Sequence, residues 1–346
     1  MKRKNLLLVY AVLLPALLVS IVAAAAIGTV PIPFAVTLRV VLAQVGWPGL
    51  TVPEDLPQTT LAIIWNLRLP RVLLAALVGA ALSMAGATFQ GLLRNPLADP
   101  FTIGVSSGAA TGATLALFLR VMLGWSFPQQ VPLFAFGGAL LAMFFVYSLA
   151  KIGGKVPVVT LLLAGVVISS FLSAVISLLM VLAGEDMKGI FFWLSGGLAM
   201  RSWPYLWMAA PYLLLGVVLL TVFARELNIL QLGEEAALHL GVPVETVKKI
   251  LLAGASIITA AAVSVSGMIG FVGLIIPHAV RMVTGPDHRT LLPATALFGA
   301  IFLVWADVAA RTALAPRELP VGIITAFVGA PFFIWLLHKK KQEVRW

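Results

Sequence analysis

Four arginines near the ends of long apolar runs, Arg68, Arg71, Arg311 and Arg317, are the first residues whose type and position could do chemistry. A guanidinium stays charged at any physiological pH and offers a fork of donors that matches a carboxylate. Four of them at two helix mouths therefore point to an acidic partner, although snorkelling to lipid headgroups would use the same side chains. Asp307 precedes Arg311 by four residues, the spacing of an ion pair on one helix face, and such a pair could also aim Arg311 at a partner. A second group lies between Arg225 and Lys249. There Gly233 precedes Glu234 and Glu235, the pattern continues through Ala236, Ala237, Leu238, His239 and Leu240, and Gly241 with Pro243 ends it. Two carboxylates at the positive end of a short helix suit its dipole. This helix is either loop packing or a knob for another protein.

Other chemistry is thinly supplied. There is no cysteine, which excludes disulfides, thiolate catalysis and cysteine-ligated metal centres. The four histidines, His239, His278, His288 and His338, lack HExxH or paired spacing, so hydrogen bonding suits them better than iron or haem ligation, and no metal site or catalytic residue is assigned. Met84, Met143, Met180 and Met268 read as adaptable packing. Gly154-Lys155 ends like a phosphate-binding loop, but Leu149 stands where its first glycine belongs and Val156 where a magnesium-binding hydroxyl belongs. An intramembrane enzyme would need a nucleophile and base in one cavity, and no histidine or carboxylate is placed with the serines. An ion-coupled secondary transporter, the alternative from another class, would need titratable groups near the membrane midplane, where these spans carry almost none.

The elements that must position these residues are membrane helices. The 346-residue chain is 61% hydrophobic and 10% charged, against roughly 25% charged in an ordinary soluble domain. Its net charge of +10 is therefore a statement about topology and not about nucleic acid. Between Arg68 and Gly112 an apolar helix carries Ala75, Gly79, Ser83, Ala87 and Gly91 at four-residue spacing, a flat face on which neighbouring backbones can close. Spans of membrane length fall near 6–30, 61–92, 101–120, 131–150, 159–183, 202–224, 245–266, 271–284, 290–314 and 321–338, with 271–284 too short to cross squarely. The first is longer than the h-region of a signal peptide and reads as an uncleaved span. Residues 31–60, with five prolines, form an external loop, and residues 225–249 a cytoplasmic loop carrying the helix 233–241, within one transmembrane domain over 1–346. With both termini cytoplasmic, 15 of the 23 lysines and arginines fall on the inner side, as the positive-inside rule asks.

Seven segments, Arg68-Leu69-Pro70-Arg71, Gly79 through Gln90, Asn95-Pro96-Leu97-Ala98-Asp99-Pro100, Gly104 through Ala109, Leu161 through Gly165, Gly270 through His278 and Glu318-Leu319-Pro320-Val321-Gly322, resemble in order those of FecCD-type permeases. These are the membrane subunits of type II ATP-binding-cassette importers for ferric siderophores, haem and cobalamin. The resemblance implies an all-α polytopic subunit of about ten transmembrane helices in a bacterial or archaeal inner membrane. It also implies a homodimer, or a pair with a homologous permease, that encloses the path at its interface. Arg68, Arg71 and Arg311, with Arg317 beside them, would receive acidic residues of an extracytoplasmic binding protein. Residues Gly233 to Gly241 would be the coupling helix seated in an ATP-binding subunit, two of which would hold the ATP and magnesium, with no cofactor on this chain. Asn95, Pro96 and Leu97, with Val158 and Val159, would close the inner end; some relatives have Ser or Thr at the last two positions, so valines here imply an apolar constriction. Ferric siderophore is the expected cargo, with cobalamin or haem as alternatives.

Overall fold

A computed structural model describes residues 3–184 and 188–343. In chain order its helices are α1 (Arg3–Ala26), α2 (Phe34–Gln44), α3 (Gln58–Ala62), α4 (Leu69–Leu92), α5 (Val105–Leu123), α6 (Gln130–Ala150), α7 (Val158–Ala183) and α8 (Lys188–Leu194). They continue with α9 (Trp203–Val222), α10 (Ala224–Leu230), α11 (Glu234–His239), α12 (Val244–Ser266), α13 (Val272–Thr284), α14 (His288–Thr312) and α15 (Val321–Glu343). A π-helical turn, Ile63–Arg68, joins α3 to α4, so that residues Gln58–Leu92 form one continuous rod. The two-residue bridge Ile152–Lys155 is the β pairing among the described residues.

Helix α4 is the axis of the bundle and packs against α14, α12, α13 and α9. Its sequence explains the place. It is apolar on every side, as a helix must be when other helices surround it, and its small residues remove the side chains that would hold neighbours away. On the face made by Gly79, Ser83 and Gly91 lies α14: a Cβ on Gly79 would sit 2.2 Å from the Gly299 carbonyl oxygen, and one on Gly91 2.7 Å from His288 Nε2. The Ser83 hydroxyl lies 2.6 Å from the Gly79 oxygen of its own helix and 3.0 Å from the Thr295 oxygen of α14. One turn round, Gly86 touches α13, where a Cβ would sit 1.9 Å from the Gly273 oxygen. Gln90 extends the same seam by donating from Nε2 to the Gly273 oxygen at 3.1 Å. The four-residue spacing of small residues is thus the seat of α14, as its pattern implied. Helix α1 leans on the outside of α14, with Trp305 Nε1 donating to Ser20 Oγ at 3.0 Å.

Among the described residues, eight helices are long and apolar enough to cross a membrane: α1, the rod ending in α4, α5, α6, α7, α9, α12 and α14. The other two expected spans, 271–284 and 321–338, are present as shorter apolar helices, α13 with 13 residues and residues Val321–Leu336 of α15. Two details differ from expectation. The third span starts at Val105, not Phe101, because Gly104 at φ 89° breaks the backbone first. The inner loop carries two short helices where one was expected, α10 as well as α11. Burial also divides the spans: 83% of the apolar window in the α4 rod is buried, against 11% in α7, which packs chiefly on α5 and α6. If backbone contact fixes the α4–α13 seam, Gly86→Ala lowers the thermal midpoint in detergent by the equivalent of about 1–3 kcal/mol or more. Gly137→Ala in α6, whose Cβ meets nothing within 4 Å, leaves it unchanged or slightly raised.

Candidate functional site

At one end of the bundle the structure gathers Arg68, Arg71 and Arg311 and turns them inward. The end of α1 leaves carbonyl groups without helical partners, and Arg68 fills that need: Nη1 donates to Ala25 and Ala26 oxygens at 3.1 and 2.8 Å, and Nη2 to the Val30 oxygen. Gly28 makes room, since a Cβ there would lie 2.5 Å from Arg68 Nη2. Arg71 is held by two carboxylates. Its Nε donates to both Asp307 oxygens at 3.0 and 3.1 Å, and its Nη1 to both Glu318 oxygens at 3.1 and 2.9 Å. The Asp307–Arg311 pair expected from its spacing is present, Nε to Oδ2 at 3.6 Å, while Arg311 Nη2 donates to the Ala24 oxygen. Three cations and two carboxylates leave one positive charge in excess.

The cluster is enclosed and does not form an open rim. Arg68, Arg71 and Arg311 are 5–9% exposed and engaged by their own chain; Arg317 alone of the four is exposed. The reason is physical: arginines beside apolar helix ends are cheapest when they satisfy orphan carbonyls and carboxylates there. Two residues without a role in the sequence reading join them. Glu318 completes the clamp on Arg71, and Arg201, stacked on Tyr205 with its guanidinium carbon 4.5 Å from the ring centre, lines the same mouth. Burial pushes the Arg201 pKa down. The mouth is a cavity of about 320 Å³ walled by Arg68, Arg71, Arg201, Arg311 and Glu318 with Leu67 and Met200.

The opposite end holds the short helices. Gly233, at φ 115°, reverses the chain into α11; Gly241, at φ 78°, takes it out, its N–H bonding the Leu238 oxygen at 2.9 Å. Ala237 is buried and fixes α11 to the bundle, while Glu235, Leu238, His239 and Leu240 face outward, the two leucines 59% and 61% exposed. Ala236 is half-buried. Glu234 turns back to Lys248 Nζ at 2.9 Å. Next to it, α10 is tied to α14 by Asn228, whose Oδ1 accepts from the His288 backbone N–H at 2.8 Å and lies 2.9 Å from His288 Nδ1.

The expected gate residues sit at this end too. Asn95 Oδ1 accepts from the Leu97 N–H at 2.9 Å, folding Asn95-Pro96-Leu97 into a turn that leaves Leu97 56% exposed. In the same loop Asp99 is buried, which pushes its pKa up to about 6 against the lowering effect of the Phe101 N–H. Val158 is half-buried and Val159 is 76% exposed at the start of α7. Neither Leu97 nor Val159 is covered by its own chain. Above Val159, the serines of α7 bond backward within the helix: Ser170, Ser173 and Ser177 donate to the oxygens of Val166, Ser169 and Ser173 at 2.9, 2.8 and 3.0 Å.

If the arginine cluster braces α1, α4 and α14, then Asp307→Asn, which strips the buried carboxylate from Arg71 and Arg311, lowers stability by about 3–5 kcal/mol. Thermal unfolding in detergent reads this directly, and a variant as stable as the parent would show that the network is not a brace.

The model of the FecCD transport family matches residues 16–339. The chain is 47% identical to the uncharacterized ABC transporter permease protein YvrB of Bacillus subtilis, over 99% of this chain and 97% of that protein. It is 47% identical to the cobalamin import system permease protein BtuC of Halobacterium salinarum, covering 91% and 86% of the two chains, and 42% identical to the hemin transport system permease protein HmuU of Yersinia pestis, covering 81% and 84%. Among solved structures, an inward-facing one assigned to the metal-chelate type of ABC transporter aligns with a TM-score of 0.79 at 34% identity, covering 96% of this chain and 99% of that one. With nearly its whole length matched and its helices superimposing on such a transporter, this chain belongs to the FecCD transport family and is a multi-span membrane permease, not an ATP-hydrolysing subunit.

Proposed function

We propose that this chain is the translocating subunit of an ABC importer in the cell membrane of a bacterium or archaeon. In this reading it pairs with a second copy or a homologous permease, two ATP-binding subunits attach on its inner side, and an extracytoplasmic binding protein delivers cargo on its outer side. The observation that carries the reading is α11. It is anchored to the bundle by Ala237 and by the Glu234–Lys248 pair, yet presents Leu238 and Leu240 outward with Glu235 and His239 beside them. An apolar centre with a polar rim on a fixed short helix is the anatomy of a protein contact. The partner binds ATP and magnesium; this chain supplies the path and the lever.

The rest of the geometry fits that division. The buried arginines keep the outer ends of α1, α4 and α14 in one arrangement and leave excess positive charge under the rim. Carboxylates of the delivery protein meet the exposed Arg317 first, with Arg68, Arg71 and Arg311 acting from beneath as a fixed field. At the inner end Asn95, Pro96, Leu97, Val158 and Val159 form a constriction once a second permease covers Leu97 and Val159. Its apolar side chains close by excluding water. ATP binding and hydrolysis next door move α11 and open it.

The cargo in this reading is a bulky metal chelate, ferric siderophore first. Cobalamin is the second reading, favoured by the 47% identity to a permease named for cobalamin import. Reconstitution with the two ATP-binding subunits and the binding protein tests both. Uptake into vesicles requires ATP and both companions, and replacing 234–240 by a Gly/Ser linker lowers uptake per ATP about tenfold or more. Transport by the isolated chain would overturn the proposal. Orientation is tested separately in this cysteine-free chain: an impermeant thiol reagent labels Lys188→Cys from outside and Lys249→Cys from inside, and the opposite pattern would invert the topology.

A further inference from the structure

Lys248 is buried, at 5% exposure, beneath the lever helix. An ammonium carries three donors, and all three are used on different elements. Nζ lies 2.9 Å from Glu234 Oε1 on α11, 3.1 Å from Glu245 Oε1 on α12, and 2.8 Å from the carbonyl oxygen of Val156. Glu245 closes the ring by accepting from the Val156 N–H at 3.3 Å through its other oxygen. Both backbone polar groups of Val156 are therefore held by the Lys248–Glu245 pair, and its side chain, 2% exposed, is seated in the core. One residue later Pro157, in extended conformation, leads into α7. Helix α7 packs chiefly on α5 and α6, so this junction is a direct tie from α11 and α12 to its base.

We propose that Lys248 is a positioning residue that locks α11 and the base of α7 into one moving body, so that displacement of the lever reaches the exposed end of α7. The assignment rests on the reading of α11 as the contact for the ATP-binding subunit. Apolar contact between two helices transmits a push but parts under a pull. A buried ammonium shared by two carboxylates resists both, because withdrawing Glu234 would strip a charge partner from a site that water does not reach freely. Glu234 and Glu245, with side chains 41% and 35% exposed, face solvent on the side where a partner would press, while Lys248 stays covered. Arginine at 248, with five donors, can reach the same three acceptors; methionine fills the space of the stem and reaches none.

The test uses the complete transporter with spin labels on Gln231→Cys, ahead of α11, and Ile152→Cys, in the hairpin before Val156, both exposed. Pulsed dipolar spectroscopy in nucleotide-free and ATP-bound states gives one narrow separation in the parent, unchanged between states. Lys248→Met broadens it and makes it depend on nucleotide, and lowers uptake per ATP hydrolysed about tenfold, while Lys248→Arg restores both. If Lys248→Met fails to fold, Glu234→Gln, altered at the solvent-facing partner only, is expected to broaden the same distribution. A Lys248→Met protein that melts lower yet keeps the narrow separation and the parental uptake per ATP would overturn the proposal and leave Lys248 a structural residue. So would Glu234→Gln with an unchanged distribution. Absence of ATP-driven uptake in the parent would instead strike the proposed function, with the spectroscopic comparison still deciding the clasp.

Discussion

Hydrocarbon solvates leucine as well as another helix does, so the helices of this chain cannot be held together by hiding apolar surface from water. What holds them is close approach, and close approach requires that side chains be missing. At Gly79 against Gly299, and at Gly86 against Gly273, backbone meets backbone, and dispersion contacts and seam-side hydrogen bonds such as Ser83 to Thr295 replace the hydrophobic effect. Helix α4, with two such seams on adjacent faces, sets the positions of α13 and α14, and through α14 of α1. Every polar feature of the molecule is hung on that arrangement.

Charge is then confined to the two ends, and each end solves the same problem differently. At the arginine end, cations without solvent are satisfied by helix-terminal carbonyls of α1 and by Asp307 and Glu318, a static knot that fixes three helices. At the α11 end one lysine is shared among α11, α12 and the segment leading into α7. The first network joins elements that are also packed against each other, so it adds rigidity. The second joins a surface helix to a span that packs chiefly on α5 and α6, so it adds connection.

Sequence reasoning reached the helices more readily than their partners. That α4 carries a seat for a neighbouring helix was legible because four-residue spacing of small residues is a local pattern with one physical use, and the Asp307–Arg311 pair was legible because both lie on one helix; that the neighbour is α14 came from the fold. The fate of Arg68 was not, because the carbonyls it caps lie 38–43 residues away and carbonyls leave no mark in a sequence. Glu318 reaches Arg71 across 247 positions. Their burial was not legible for the same reason: an arginine at a helix end looks free until the neighbour that needs its donors is in place. Helix α10 was missed because Ala-Arg-Glu-Leu-Asn-Ile-Leu, between a long span and a glycine turn, is too short for periodicity to stand out. Lys248 offered half a clue, Glu245 three residues before it; Val156 and Glu234 come from the fold.

The serines of α7 have a consequence of their own. Ser170, Ser173 and Ser177 lie on the least covered span, yet each gives its hydroxyl proton to a carbonyl one turn back. The wall they form offers lone pairs but no spare protons. If this face lines the path in the proposed assembly, a large solute gliding along it would find nothing that clings, and a surface built in that way favours slippage over capture.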